Sequence, residues 1–197
     1  MHLTVGLWAL FTSSIYATTP YSEYILAPSS RSLSPITVLS VNGTVRNAEA
    51  LTLNGTGSAE FQDSSFVTFD YSKNIGGLAS FYVSAVSNGS QQIGLSFTES
   101  KLWISPNGGD ATKDELIDEI LWFDITGPGN YSVTPEHDRG GFRYLNLHHR
   151  GNGTVSISKL LTRFSAMPHY PDDQLRSYTG HFHCNDEKLN LVWYAGM

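Results

Sequence analysis

The chain has 197 residues, of which 40% are hydrophobic and 12% aromatic, enough apolar material for one sizeable core. Its formal net charge of -6 argues against nucleic acid or an anionic membrane surface as a partner, because no basic stripe is present to displace counterions. Cys184 is the only cysteine, so it pairs between chains, stays a free thiol, or has lost a partner encoded elsewhere.

In chain order, residues 3–15 form a short apolar run followed by Ala17, a small residue suited to signal peptidase, and then by a polar segment containing Pro20. The run is too short to span a bilayer. Residues 1–17 are therefore expected to be a secretory signal, which implies an extracellular protein. The leader has His2 but no Lys or Arg, which keeps a buried N-terminal strand as the alternative. Residues 18–34 are rich in Ser and Pro and are expected to be an extended lead-in.

From residue 35 the pattern is that of strands. Runs at 35–41, 50–53, 65–71, 78–86, 93–97, 102–104, 120–125, 141–149 and 155–164 are rich in β-branched and aromatic residues. Gly, Asn and Ser clusters separate them. Ile93, Leu95 and Phe97 alternate with Gly94, Ser96 and Thr98, the period of a half-buried strand. With almost no helical period before residue 185, the expected fold is all-β, an antiparallel β-sandwich of jelly-roll type over residues 35–166.

One insert breaks the series at 106–119, where Thr112 and Glu115 form a capping-box pattern for a short surface helix. Its carboxylates, Asp110, Asp114, Glu115, Asp118 and Glu119, invite a calcium reading, but their order does not match the loop that binds calcium. A solvated acidic helix is the stronger reading. Five Asn-x-Ser/Thr sequons, at Asn42, Asn54, Asn88, Asn130 and Asn152, accord with secretion, and four of them are also Asn-Gly turn signals.

A linker is expected over 167–184, containing Pro168 and Pro171, followed by a helix starting at 185 with Asn185 as N-cap and Asp186 and Glu187 in its first turn. Leu189, Val192 and Trp193 fall on one face of that helix. So short a helix is marginal without a packing partner, so it either folds back on the sandwich or its partner is missing.

The chemistry-bearing motifs are few. No Gly-x-Ser-x-Gly, His-Glu-x-x-His, phosphate-binding glycine loop or Cys-x-x-Cys is present, and no catalytic residue, metal ligand or cofactor is assigned. Glu99 and Glu136 are isolated strand-end acids, and solvated carboxylates describe them better than a glycosidase pair. His148 and His149 point to opposite faces of a strand. His181 and His183 point the same way beside Cys184 but lack a third ligand at suitable spacing.

The stretch 135–149 mixes polar and aromatic residues most densely. Phe142 and Tyr144 are expected on one face and Arg143, Leu145 and Leu147 on the other. Trp103, Trp122, His137, Arg139 and Tyr144 are the candidate carbohydrate contacts, since rings stack on sugars and charged side chains grip hydroxyls. The competing reading puts Phe142, Leu145 and Trp122 in the core and pairs Asp138 with a local arginine.

The segments FDYSKNIGG (69–77), GLSFTESKLWI (94–104), EILWFDITGPGNYSV (119–133), RGGFRYLNL (139–147) and YTGHFHCNDEKLNLVWYAG (178–196) together resemble the amino-terminal part of fungal secreted α-L-rhamnosidases of glycoside hydrolase family 78. The resemblance implies a β-sandwich preceding an (α/α)6 barrel, with residues 185–197 as the entry to the barrel's first helix. It also implies that the catalytic acids lie in the barrel, onto which no residue here maps. The expected function is then the non-catalytic sandwich of such a hydrolase, a truncated piece whose partner is its own catalytic helical domain and whose ligand is plant cell-wall carbohydrate. The alternative is a self-sufficient, lectin-like sugar-binding module.

Overall fold

The computed structural model describes residues 21–110, 118–177 and 180–196. The expected signal segment and the capping box of the acidic insert lie outside the described residues. Contacts divide the chain into two units, Ser29–Asp173 and a second one made of the two ends of the chain, described over 21–28, 174–177 and 180–196.

The larger unit is an antiparallel β-sandwich of eight strands among the described residues. They are β1 (Ser32–Leu33), β2 (Thr37–Arg46), β3 (Ala59–Val86), β4 (Gln91–Thr98), β5 (Leu121–Ile125), β6 (Gly129–Ser132), β7 (Gly141–Gly151) and β8 (Thr154–Phe164). The hydrogen-bonded order is β1-β8-β3-β7-β4-β5, with β2 and β6 also paired to β3.

Strand β3 organises the sandwich. At about 3.3 Å per residue, its 28 residues would overrun any single sheet, so it must bend. It does so at two corners where a non-glycine residue is left-handed: Asp63 (φ 52°), whose N–H donates to Gly153 O, and Ser72 (φ 62°), whose N–H donates to the Asp70 carboxylate. Residues 59–62 pair with β8, 65–70 with β7, and 77–86 return to β8 and, over 80–83, to β6. One strand thus serves both layers, and the runs expected at 65–71 and 78–86 are its two arms.

The layers meet on a core in which Phe61, Phe69, Phe81, Ile93, Leu95, Phe142, Leu145, Leu147, Ile157 and Leu160 are essentially sealed from solvent. Each such side chain contributes roughly 1.5–3 kcal/mol on burial. The alternation expected along β7 fails at Phe142, which joins Leu145 in the core, with Phe97 4.8 Å and Tyr71 5.7 Å away between ring centres. The cause is the register shift opposite it, where Tyr144 pairs with Asp70 but Phe142 with Ile75.

Two expected strands are one-turn 3-10 segments instead. Ala48–Leu51 buries Ala48, Ala50 and Leu51 but makes no ladder, and Lys101–Trp103 is initiated by the Ser100 hydroxyl, which accepts from Leu102 N. Both are too short to pair. Conversely, β6 was not foreseen, since GNYS reads as turn and sequon.

Arg31, expected in the lead-in, is a buried anchor. It donates to the carbonyls of Phe164, Ala166, Met167 and Tyr170 at 2.8–3.1 Å and to the Asp172 carboxylate at 2.5 Å. Residues 167–172, expected to be linker, are therefore held by one guanidinium.

In the smaller unit, α1 (Glu187–Ala195) starts one residue later than expected, because Asp186 rather than Asn185 caps it, accepting from Lys188 N and Leu189 N. Its buried positions are Asn190 and Tyr194, one turn apart, whereas Leu189 and Val192 are exposed. The Asn190 amide brackets the Cys184 backbone, accepting from its N–H at 2.8 Å and donating to its carbonyl at 3.0 Å, and Tyr194 stacks on Tyr24 at 5.2 Å. Arg176 binds the carbonyls of Ser22, Ile25 and Ala27. No helix among the described residues is long and apolar enough to cross a membrane.

Candidate functional site

Among the described residues β5 pairs only with β4, and β6 only with β3, so each has an edge that no described strand pairs. A cleft of about 290 Å³ lies along them, lined by Ile120, Trp122, Phe123, Thr134 and His137 among others. Of the five candidate contacts, the structure brings two together here, Trp122 and His137. His137 is presented by the turn Pro135–His137, with its Nδ1 3.0 Å from Thr134 Oγ. Thr134 was missed by the sequence reading, although its place just before a Pro-started turn was visible.

Trp122 is constrained on more than one side. Its benzo edge lies over Gly94, where a Cβ would come within 2.8 Å of it, and the Arg150 guanidinium sits 4.1 Å from its ring centre. Trp122 is thus partly covered, and the cleft sees what Arg150 leaves free.

The other three candidates do not line this cleft. Trp103 projects from its 3-10 turn at 64% exposure next to Leu102 at 88%. Tyr144 is buried beneath the Arg143 guanidinium, which itself forms a fork to both oxygens of Asp70 at 2.9 Å. The hydrogen bonds from Arg143 hold the Asp70 carboxyl below its ordinary range. Arg139 lies 3.9 Å from Asp118, so the local acid–arginine pairing involves that aspartate, while Asp138 accepts from Gly140 N.

Of the acids considered for hydrolysis, Glu99 accepts from Asn74 at 2.9 Å, and Glu136 is a solvent-exposed turn residue held low by a hydrogen bond with Thr134. Asp110 accepts from Glu99 N; burial, and then the nearby Glu99 charge, push its carboxyl up. Among the described residues, no group of three or more His, Cys, Asp or Glu could hold a metal ion.

A buried polar chain crosses the middle of the sheet. Thr68 Oγ donates to Asn146 Oδ1 at 2.6 Å, Asn146 Nδ2 donates to Ser96 Oγ at 3.1 Å, and Ser96 meets His148 Nε2 at 3.0 Å. A Ser–His contact of this length raises the question of a nucleophile. Ser96 is 1% exposed and already receives the asparagine's hydrogen, so no substrate reaches it. Burial lowers the His148 imidazole to about 4. His149 faces the other way, its Nε2 2.9 Å from Gln91 Oε1, and burial lowers it too.

The five sequon asparagines, Asn42, Asn54, Asn88, Asn130 and Asn152, are all exposed. In the smaller unit His181 and His183 gather on the Tyr21 ring, the latter stacked at 4.2 Å.

The fold is shared with solved carbohydrate-active proteins. A family 78 rhamnosidase of Bacillus sp. GL1 superposes with a TM-score of 0.52 at 20% identity, over 77% of this chain and 15% of that one. A rhamnosidase from Klebsiella oxytoca with rhamnose bound gives 0.47 at 17% identity, covering 73% and 30%. A fucose-binding module of Streptococcus pneumoniae gives 0.41 at 10% identity, covering 68% and 97%. The chain thus spans under a sixth of the Bacillus enzyme's length. No protein-family model matches the sequence, and neither does any curated protein. The likeness to the Bacillus enzyme shows a shared β-sandwich fold.

Proposed function

We propose that this chain is the non-catalytic β-sandwich of a secreted glycoside hydrolase of the α-L-rhamnosidase kind, contacting carbohydrate through the cleft of Trp122, Thr134 and His137. The observation that carries the reading is the make-up of that cleft. An indole edge, a hydroxyl and an imidazole line a space of about 290 Å³, and among the described residues no carboxylate lines it. Such a surface binds a sugar by apolar contact and hydrogen bonds, and its described lining offers no acid to protonate a glycosidic oxygen. Bond cleavage then belongs to a separate helical catalytic domain, the partner implied by the resemblance. Exposure of all five sequons supports the extracellular assignment.

A second reading, a stand-alone lectin-like module, is favoured by one observation: every residue lining the cleft belongs to the unit Ser29–Asp173, so the site needs no second domain to form. Two measurements on the purified chain test both readings. Release of nitrophenol from a nitrophenyl α-L-rhamnoside is expected to equal the buffer blank, and a higher rate overturns the non-catalytic assignment. Calorimetry with rhamnose and plant cell-wall oligosaccharides is expected to show heat that Trp122→Ala removes. No heat at millimolar sugar overturns both the cleft assignment and the stand-alone module.

A further inference from the structure

Arg150, at the end of β7, differs in its surroundings from the other arginines among the described residues. Arg46, Arg139, Arg143 and Arg163 face carboxylates, Arg176 is spent on backbone carbonyls, and Arg31 has both kinds of partner. The partners of Arg150 are uncharged: its Nε donates to Gln92 Oε1 at 2.7 Å, and its plane lies 4.1 Å from the Trp122 ring centre. Gln92 is itself held, donating to Asp124 at 2.7 Å, so that aspartate is linked to the guanidinium only through the amide. One edge of the fork and its plane are thereby fixed, while Nη1 and Nη2 have no partner among the described residues.

The same arginine lines a second cleft, of about 410 Å³, with Ser64, Gly89, Ser90, Gly151 and Asn152. Its rim is held by Gln91, whose Nε2 lies 3.4 Å from Ser87 Oγ and from the carbonyls of Asn88 and Asn152. The opening is large enough for a monosaccharide unit, with two hydroxyls and an amide to meet ring hydroxyls and, at one side, a pre-oriented guanidinium that has no direct carboxylate partner. A planar guanidinium fixed at Nε and offering both Nη groups matches the two oxygens of a carboxylate.

We propose that the Arg150 cleft binds the carboxylate of a uronic acid residue, giving the sandwich a preference for acidic over neutral sugars. The proposal builds on the carbohydrate reading above but uses a different cleft, divided from the first by the Trp122–Arg150 pair.

Glucuronate and glucose are the probes, since they differ only in the group at C6. The Asn152 sequon opens on this cleft, so the full chain is prepared without N-glycans for calorimetry. Glucuronate is expected to bind at least tenfold more tightly than glucose at low salt, and the preference to shrink as salt is raised. Arg150→Gln is expected to abolish the preference. Ser64→Asp, which places a carboxylate on the wall of the cleft from an exposed position, is expected to do the same with Arg150 intact, so the outcome does not hang on one variant's folding. Equal affinity for the two sugars, no binding of glucuronate, or a preference that survives both substitutions overturns the proposal. His137→Ala separates it from the first reading: it is expected to weaken neutral-sugar binding while leaving glucuronate unchanged. A cleft that binds rhamnose without any glucuronate preference therefore overturns this inference alone.

Discussion

The hydroxyl of Ser96 lies 3.0 Å from His148 Nε2 and accepts from Asn146 Nδ2. His148 is thus buried with an uncharged hydrogen-bond partner, which favours its neutral form. Burial lowers the folded-state pKa to about 4, whereas the unfolded chain returns to about 6.5. Between those values the unfolded state binds more protons, so stability rises with pH through this window and is lost as pH falls from about 6.5 toward 4. The shift corresponds to at most about 3 kcal/mol. Urea midpoints at pH 4.5 and 7.5 measure it. His148→Gln is expected to flatten most of the difference, with His149, lowered in the same direction, supplying the remainder. An unchanged slope in that variant would remove His148 as its source.

Arg31 supplies the second prediction. At 7% exposure it satisfies four carbonyls and reaches Asp172, so its loss leaves several acceptors unpaired in one place. Arg31→Ala is expected to cost about 3 kcal/mol or more. Arg31→Lys is expected to recover little, because an ammonium cannot span the same set of acceptors. Denaturation midpoints give the energy, and limited proteolysis at 166–172 tests whether the loss is local. Full recovery by lysine would contradict the geometry.

These two elements show what the sequence made legible. Strand content, the sandwich and the opposed faces of His148 and His149 follow from period-2 alternation, which is a local property. The corners of β3 rest on Asp63 and Ser72, polar residues whose left-handed backbone is stabilised by tertiary partners, so two short strands were expected where one bent strand exists. Arg31 looked like lead-in because its acceptors lie more than 130 residues away. Trp122 and His137 could be singled out as residue types able to bind sugar. That they share a cleft, while Tyr144 is buried and Trp103 stands apart, depends on the register shift opposite Phe142 and the pairing of β5 and β6.

Gly94 makes the third prediction. It occupies the β4 position between Trp122 and His148, and a Cβ there would come within 2.4 Å of Ile120 Cγ2 and 2.8 Å of the Trp122 benzo ring. Both obstacles are side chains, so they can yield. Gly94→Ala is expected to cost only about 1–2 kcal/mol but to push Ile120 and Trp122 outward, reshaping the cleft. A change in tryptophan emission together with weakened sugar binding is expected. Unchanged binding and emission would show that the indole does not rest on this glycine.

The two tryptophans offered by the sequence make opposite predictions. Trp122 packs over Gly94, carries Arg150 and lines a cleft, so Trp122→Ala removes buried contact and the support of the guanidinium together. A loss of about 2–3 kcal/mol is expected, below the range for fully buried tryptophan because the residue is only partly buried. Sugar binding in both clefts is expected to weaken with it. Trp103, at 64% exposure on a single 3-10 turn, is not among the described core residues. Trp103→Ala is expected to shift stability by less than about 0.5 kcal/mol and to leave neutral-sugar and glucuronate affinities unchanged. Melting curves and calorimetry on the two variants decide the matter. If Trp103→Ala weakens binding while Trp122→Ala does not, the sugar-contacting surface is the exposed turn, and the cleft between β5 and β6 is structural.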